Sequence, residues 1–171
     1  KHSLENNEAA LNFIKAHVNE PLPNIALALS KRKELPKEYI LNQINGIQKS
    51  KSNFPFLKNY PDFIFGSKKN ISQSSSEISA NFKSKFYSGK KAIDLSGGMG
   101  IDTYFLSKSF DSVDYFERDE NTFAISKRNF KILEKDNIQR VHEDAVDYFL
   151  NTSNSYDLVF IVQKKKIDHQ K

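Results

Sequence analysis

The fold of this chain is decided by the stretch Ala92-Ile93-Asp94-Leu95-Ser96-Gly97-Gly98-Met99-Gly100-Ile101-Asp102. A short apolar run breaks into glycines and leads directly into a helical pattern. These glycines let the backbone turn tightly and approach a ligand closely, while the helix opening near Ile101 points its free N–H groups and positive dipole end at that ligand. The stretch therefore predicts the first strand-to-helix turn of a doubly wound sheet, with a ligand site at the turn.

The residues of this turn also indicate the ligand. A dinucleotide-binding fingerprint counted from Gly98 requires glycine or alanine three residues beyond Gly100, where the chain has Thr103. An acid on the strand, Asp94, followed by clustered glycines instead favours a cofactor that presents an ammonium and a carboxylate at the turn. S-adenosylmethionine has that chemistry and is the predicted cofactor.

Strands and helices alternate regularly from residue 91 onward. Such an order predicts an α/β, Rossmann-like parallel sheet of about four strands with flanking helices, preceded by an all-helical N-terminal region. The predicted strands are 91–95, 112–116, 138–142 and 156–161, and the predicted helices are 101–109, 120–133 and 144–150.

Acidic residues follow the second and third strands, at the edge of a parallel sheet where ligands bind. Glu117 is placed to accept both hydroxyls of a ribose. Asp144 is placed to accept from an adenine amino group, with the backbone N–H of Ala145 available to a ring nitrogen. Acids after strands also serve as helix N-caps, and Asp119 and Asp144 both lie where a cap belongs. For Asp144 both roles stay open.

The chain before this sheet divides into a helical region, 1–65, and a polar linker, 66–76. The S-adenosylmethionine-binding domain is predicted over 77–161, followed by a basic tail, 162–171. Ser74 and Glu77 form a predicted capping box that opens a helix covering the sheet. That helix carries Ile78, Phe82 and Phe86 at a spacing of four.

Charge is distributed unevenly along the chain. Residues 31–91 carry thirteen Lys and Arg against four acids, a net charge of +9, whereas residues 92–163 carry seven basic against thirteen acidic groups, a net charge of −6. A basic segment beside a ligand site favours a nucleic-acid substrate. A lysine-rich solvated surface is the alternative, and the sequence leaves both open.

Composition narrows the remaining classes. The chain has no cysteine, so disulfides and thiolate metal sites are excluded, and its four histidines have no ligand spacing. No metal site is expected. No apolar run approaches the length of a membrane helix and no signal peptide is visible, so no membrane partner is expected and a cytoplasmic location is predicted. The sequence leaves the oligomeric state open.

The motifs together resemble a bacterial class I S-adenosylmethionine-dependent methyltransferase of the family with a C-terminal THUMP-like domain. The likeness covers roughly residues 10–161. Its motifs are residues 94–107, Asp-Leu-Ser-Gly-Gly-Met-Gly-Ile-Asp-Thr-Tyr-Phe-Leu-Ser, the preceding stretch 73–83, Gln-Ser-Ser-Ser-Glu-Ile-Ser-Ala-Asn-Phe-Lys, and residues 43–51, Gln-Ile-Asn-Gly-Ile-Gln-Lys-Ser-Lys.

The resemblance implies methyl transfer, with RNA as the substrate class, and it implies roles for individual residues. Asp94 would orient the methionine ammonium through the loop, and Asp102 would add a contact at the start of the helix. Glu117 would hold the ribose and Asp144 the adenine. The implied cofactor contacts are Asp94, Ser96, Gly97, Gly98, Gly100, Asp102, Glu117, Asp144 and Ala145.

The sequence departs from the family pattern after the fourth strand. There the family continues with Asp-Pro-x-Arg-Arg, whereas this chain reads Val162-Gln163-Lys164-Lys165-Lys166. On the order of 70 further residues would complete a seven-stranded sheet. The expectation is therefore a truncated copy that lacks the catalytic segment and turnover, with Leu158 and Phe160 poorly covered at an unpaired edge. The alternatives are a non-catalytic RNA-binding module and a protein or small-molecule methyltransferase.

Overall fold

The structure, a computed structural model, describes residues 8–162. These residues form two compact units, the first ending at Ser72 and the second beginning at Gln73. The boundary falls inside the predicted linker 66–76. That stretch contains a short helix whose Ile71 is buried, so it is ordered locally by an apolar contact.

The first unit is helical, as the apolar periodicity of its sequence predicts. Part of its core is an apolar cluster whose buried members are Ala10, Phe13, Ile14, Ile25, Leu29, Leu35, Ile40 and Ile44. Its helices are α1 (Glu8–His17), α2 (Leu22–Ser30), α3 (Lys37–Asn53) and α4 (Lys68–Gln73), with a 3-10 turn at Pro55–Asn59.

The motif at residues 43–51 holds this first unit together. The side-chain amide of Gln43 donates to the backbone carbonyl of Phe65 at 2.8 Å and accepts from its N–H at 3.0 Å. Gly46 lies directly under the Phe65 ring, because a Cβ added there would meet the ring at 2.0 Å. Gln48 donates to the carbonyl oxygens of Val18 and Glu20, at 2.9 and 2.7 Å. These motif residues therefore have structural roles.

The second unit is an α/β sandwich with a four-stranded parallel sheet, which confirms the predicted fold class. Its strand order is β3-β2-β1-β4, and the helices lie against the sheet. Boundaries differ from the predicted ones by a few residues, as fraying element ends do. The elements are α5 (Glu77–Ser84), β1 (Gly89–Asp94), α6 (Ile101–Leu106), β2 (Phe110–Phe116), α7 (Glu120–Ile132), β3 (Ile138–Val141), α8 (Ala145–Asn151) and β4 (Leu158–Phe160).

The strand order creates a topological switch point beside β1. The chain runs from β1 to β2 to β3 in one direction and then returns to place β4 on the other side of β1. In register, Asp94 at the end of β1 is paired with Tyr115 of β2 and with Phe160 of β4. Doubly wound sheets bind their ligands at such a switch point, which here lies at the carboxyl ends of β1 and β4.

Helix α5 differs from its prediction. Its N-cap is Ser76, whose side chain accepts from the Ser79 N–H, and not Ser74. The apolar residues at a spacing of four do not cover the sheet, since Ile78 is 80% exposed and Phe82 62% exposed. The helix buries its small residues Ala80 and Ser84 instead, because small side chains allow α6 to approach closely.

Strand β4 is better covered than its sequence suggested. Leu158 and Phe160 are half-buried and pack against a core cluster formed by Ala92, Leu106, Phe110 and Val113. Within residues 8–162 the strand is nevertheless an edge of the sheet, and Val159 is 39% exposed. The prediction of poor coverage was therefore wrong for Leu158 and Phe160, whose side chains face α6.

Candidate cofactor-binding site

The glycine turn between β1 and α6 has a backbone that only glycine adopts without strain. Gly97, Gly98 and Gly100 have φ angles of 54°, 75° and 73°, in the left-handed region. A Cβ at Gly97 would lie 2.4 Å from the carbonyl oxygen of Phe116, and one at Gly100 would lie 2.5 Å from the ring of Phe130. The turn therefore lies tightly against the end of β2 and against α7.

Asp94, the last residue of β1, accepts hydrogen bonds from residues on both sides of the turn. Its carboxylate is buried and accepts from the Ser96 N–H at 2.8 Å, from the Ser96 hydroxyl, and from the Thr103 hydroxyl at 2.6 Å. Burial raises the pKa of Asp94, and the hydrogen bonds from Ser96 and Thr103 oppose that rise. Because one carboxylate oxygen binds Ser96 at the start of the turn and the other binds Thr103 in α6, Asp94 joins the two ends of the turn.

Two further residues that the sequence did not indicate also hold the turn. The hydroxyl of Tyr115 donates to the Gly98 carbonyl at 2.7 Å, and its ring packs edge-on against Phe130. Burial raises the pKa of Tyr115, so its hydroxyl stays a donor. In the sequence, Thr103 is notable only because it stands where a dinucleotide-binding fingerprint requires glycine or alanine. In the structure it is fully buried, and its hydroxyl donates to Asp94. The sequence could have indicated Tyr115 only through its position on β2, where it is the register partner of Asp94.

Glu117 lies against the glycine turn, at the end of β2. One carboxylate oxygen accepts from the Gly98 N–H at 2.8 Å, and the other accepts from the Asp119 N–H at 2.8 Å. The side chain is half-exposed. Since each carboxylate oxygen has two acceptor sites, Glu117 retains capacity for two ligand hydroxyls.

Asp102 is tied to α5 at the first turn of α6. It accepts from the Ser75 hydroxyl at 2.7 Å and forms an ion pair with Lys83, whose ammonium lies 2.6 Å from the other carboxylate oxygen. The Lys83 ammonium in turn donates to the Ser75 hydroxyl at 2.8 Å. Asp102 thus lies beside the glycine turn together with a cation from another helix.

Asp144 and Asp119 act as helix N-caps. Asp144 accepts from the Val146 N–H at 2.9 Å at the start of α8, and Asp119 accepts from the Thr122 N–H at 2.8 Å at the start of α7. Ala145 is the first residue of α8, at the carboxyl end of β3. The second carboxylate oxygen of Asp144 lies 3.7 Å from the Arg118 guanidinium, in an exposed ion pair. The adenine role predicted for Asp144 and Ala145 stays a prediction.

The arrangement offers backbone groups and fixed carboxylates at the end of a parallel sheet. No group of three or more acidic or histidine side chains that could hold a metal ion occurs among residues 8–162. No helix of the described part is long and apolar enough to cross a membrane. The site therefore suits a small ligand with hydroxyl and ammonium groups better than a pyrophosphate, whose charge the carboxylates would repel.

Comparisons with known proteins bear on the fold. No protein-family model and no curated protein matches the chain. Among solved structures it is similar to a "putative methyltransferase" from Porphyromonas gingivalis W83, with 22% identity over 90% of this chain and a TM-score of 0.67. The chain spans only 39% of that structure's length. The likeness shows that the two share a fold.

Weaker similarities also occur. One is to an rRNA methylase from Streptococcus thermophilus, with 17% identity, 48% of this chain and 50% of that chain covered, and a TM-score of 0.42. Another is to a "putative methyltransferase" from Streptococcus mutans in complex with SAH, with 21% identity, 53% and 55% covered, and a TM-score of 0.43. Neither is close enough to assign a ligand here.

Proposed function

We propose that the second unit binds S-adenosylmethionine as part of a class I methyltransferase of the kind that carries a THUMP-like domain. One observation carries the proposal: a left-handed glycine turn built on buried Asp94 is joined to Glu117, the carboxylate after the neighbouring strand, by a 2.8 Å hydrogen bond. Turn and carboxylate lie at the carboxyl ends of adjacent parallel strands, where a nucleoside bridges them.

Different residues contact different portions of the cofactor. Glu117 accepts hydrogen bonds from the two ribose hydroxyls. The methionine portion lies against the turn formed by Ser96, Gly97, Gly98 and Gly100. Asp144 and the N–H of Ala145 face the adenine. The cofactor, when bound, would supply an electrophilic methyl group to a substrate nucleophile, with S-adenosylhomocysteine and the proton lost by the nucleophile as the other products. The chain's part is to hold that methyl in line, which is the main requirement of such a transfer.

Calorimetric titration with S-adenosylhomocysteine tests the cofactor proposal. We expect saturable binding to the full chain and an affinity about 10- to 100-fold lower in the Glu117→Ala variant, the range for a lost hydrogen bond to a charged group. Glu120→Ala, which removes an exposed carboxylate of α7, is the matched control and should bind normally. A chain that circular dichroism shows to be folded but that binds no ligand would overturn the proposal.

We further propose RNA as the methyl acceptor. Its support is the net charge of +9 over residues 31–91 and the exposed basic turn between α2 and α3, formed by Lys31, Arg32 and Lys33. Basic side chains that neutralise phosphates give binding that weakens steeply with salt.

RNA binding in a salt series tests the acceptor. Neutralising Lys31, Arg32, Lys33, Lys49 and Lys51 should abolish salt-dependent binding to total RNA, whereas neutralising Lys127 and Lys131 of α7 should leave it intact. Absent or salt-independent binding would contradict an RNA acceptor and favour a protein or small molecule. Salt-dependent RNA binding that persists in the variant with all five substitutions would show that these residues do not form the contact surface.

A further inference from the structure

The outer side of α5 carries aromatic side chains that the fold does not bury. Phe82 and Phe86 are 62% and 65% exposed, and the adjoining Tyr87 is 50% exposed. A backbone hydrogen bond of 3.3 Å from the Phe86 N–H to the Lys83 carbonyl continues the turn beyond the last residue of α5. Phe82 and Phe86, four residues apart, therefore lie on one side of the segment. We call Phe82, Phe86 and Tyr87 the aromatic stripe.

The first two rings of the aromatic stripe hold each other in place. The Phe82 and Phe86 rings contact edge to face, with their centres 4.8 Å apart and their planes at 73°. This is a preferred geometry for an aromatic pair. A contact of this kind covers one face of one ring and only an edge of the other. Both rings therefore keep faces that a flat ligand can reach.

The segment around the aromatic stripe is strongly basic. Residues 78–91 contain four lysines and no acidic residue, a net charge of +4. Lys83 and Lys91 form ion pairs with Asp102 and Asp114. The other two lysines, Lys85 and Lys90, are exposed and flank Phe86 and Tyr87 in the sequence. Exposed ring faces and exposed ammonium groups thus alternate along one short segment.

This combination fits a nucleic acid better than a protein partner. The centres of protein interfaces contain aromatic residues but few lysines. Proteins that bind single strands instead combine basic groups for the phosphates with aromatic rings on which successive bases stack. Bases inside a duplex are already stacked on each other, so their faces are not available to side chains. The occupant that matches both features is an unpaired strand.

We infer that Phe82 and Phe86 form a stacking site for unpaired nucleotides of RNA, with Lys85 and Lys90 placed for the adjoining phosphates. The inference deepens the proposed RNA acceptor and rests on it. The N-terminal end of α5 is joined to the first turn of α6, because the Ser75 hydroxyl donates to Asp102 at 2.7 Å. A strand that follows the helix from Phe86 toward its N-terminus is therefore led toward the glycine turn.

A single tryptophan in the aromatic stripe reports base stacking directly. The chain contains no tryptophan, so Phe86→Trp introduces one indole and keeps an aromatic face at that position. We expect a short oligoadenylate to quench the fluorescence of this variant with a saturable profile. An abasic oligomer with the same number of phosphates should leave the fluorescence unchanged. The matched control is Phe149→Trp, on α8, where the phenylalanine is 40% exposed and where neither oligomer should quench.

A variant that carries both Phe82→Leu and Phe86→Leu removes the ring faces and keeps the apolar surface and every lysine. Fluorescence anisotropy with labelled oligomers, over a salt series, measures its affinity. We expect the variant to lose about 10- to 100-fold in affinity for oligoadenylate, the range for the loss of base stacking. Its affinity for the abasic oligomer should stay within about twofold, and the salt dependence should stay unchanged because the phosphate contacts remain. Phe149→Leu should bind both oligomers as the unaltered chain does.

Three results would overturn the inference while leaving an RNA acceptor in place. They are unaltered affinity of the double variant for oligoadenylate, equal loss of affinity for both oligomers, and tighter binding of a blunt RNA duplex than of oligoadenylate by the unaltered chain. The first would favour a protein partner for the aromatic stripe. Failure of the unaltered chain to bind any RNA would refute the proposed acceptor itself. If the double variant does not fold, a folded Phe86→Trp variant that oligoadenylate binds without quenching also contradicts the stacking site.

Discussion

The hydroxyl of Tyr115 should contribute measurably to the stability of the second unit. It donates to the Gly98 carbonyl at 2.7 Å from a fully buried position, and Tyr115→Phe removes that donor while keeping the ring that packs on Phe130. The substitution leaves a carbonyl oxygen of the glycine turn without its partner, in a place that water does not reach.

The expected loss follows from that geometry. Stranding a buried acceptor costs about 1–3 kcal/mol, whereas the net value of an ordinary hydrogen bond is about 0.5–1.5 kcal/mol. Since the described residues 8–162 show no other side-chain donor to the Gly98 carbonyl, we expect the free energy of unfolding to fall by about 1–2 kcal/mol. The freed turn should also bind S-adenosylhomocysteine less tightly, because the ligand must then order it.

Urea denaturation followed by far-ultraviolet circular dichroism measures this change, and calorimetry measures the affinity. Tyr87→Phe is the control, because Tyr87 is half-exposed and its loss of a hydroxyl should be silent. The reasoning would be refuted by a Tyr115→Phe variant with unaltered stability and unaltered ligand affinity, since the hydroxyl would then not hold the turn.

Three further predictions concern other parts of the two units. Gly97→Ala forces an alanine into the left-handed region, with its Cβ 2.4 Å from the Phe116 carbonyl oxygen. Calorimetry should therefore show that S-adenosylhomocysteine binding is lost, while circular dichroism still shows a folded chain. Normal affinity in this variant would contradict the tight turn. Because burial raises the pKa of Asp94 above its ordinary 3.8, the folded chain holds that proton more tightly than the unfolded one, and the free energy of unfolding should fall as pH rises from about 4 through the folded pKa. Urea denaturation should show that Asp94→Asn reduces the dependence of the free energy of unfolding on pH. An unchanged pH dependence in this variant would contradict the raised pKa of Asp94. Gly46→Ala places a Cβ 2.0 Å from the Phe65 ring, so thermal unfolding should show a loss of about 1–3 kcal/mol from overpacking, and a neutral result would show that the ring moves freely.

The parts of the fold that local patterns determine were predictable. The alternation of apolar strands with helices and the glycines at 97, 98 and 100 depend on backbone conformations that each residue type favours by itself. The structure confirms the parallel sheet, and it places Glu117 against the turn, 19 residues after Gly98.

The parts of the fold that depend on packing between distant elements could not be predicted from the sequence. Helix α5 has too few turns for its apolar spacing to outweigh close packing through Ala80 and Ser84, so its predicted buried face is exposed. The hydrogen bond of Tyr115 to Gly98 and the ion pair of Lys83 with Asp102 join separate elements, and no sequence periodicity predicts them. For Asp144, the cap role is observed and the adenine role remains a prediction.

The most direct test of the central claim uses the amide signals of the glycines in a nitrogen-15 correlation spectrum. The chain has six glycines, so their region of the spectrum is simple. Titration with S-adenosylhomocysteine should shift the signals of Gly97, Gly98 and Gly100 and leave those of Gly46 and Gly66, in the first unit, in place. Saturating ligand that moves none of the three turn glycines would contradict the account.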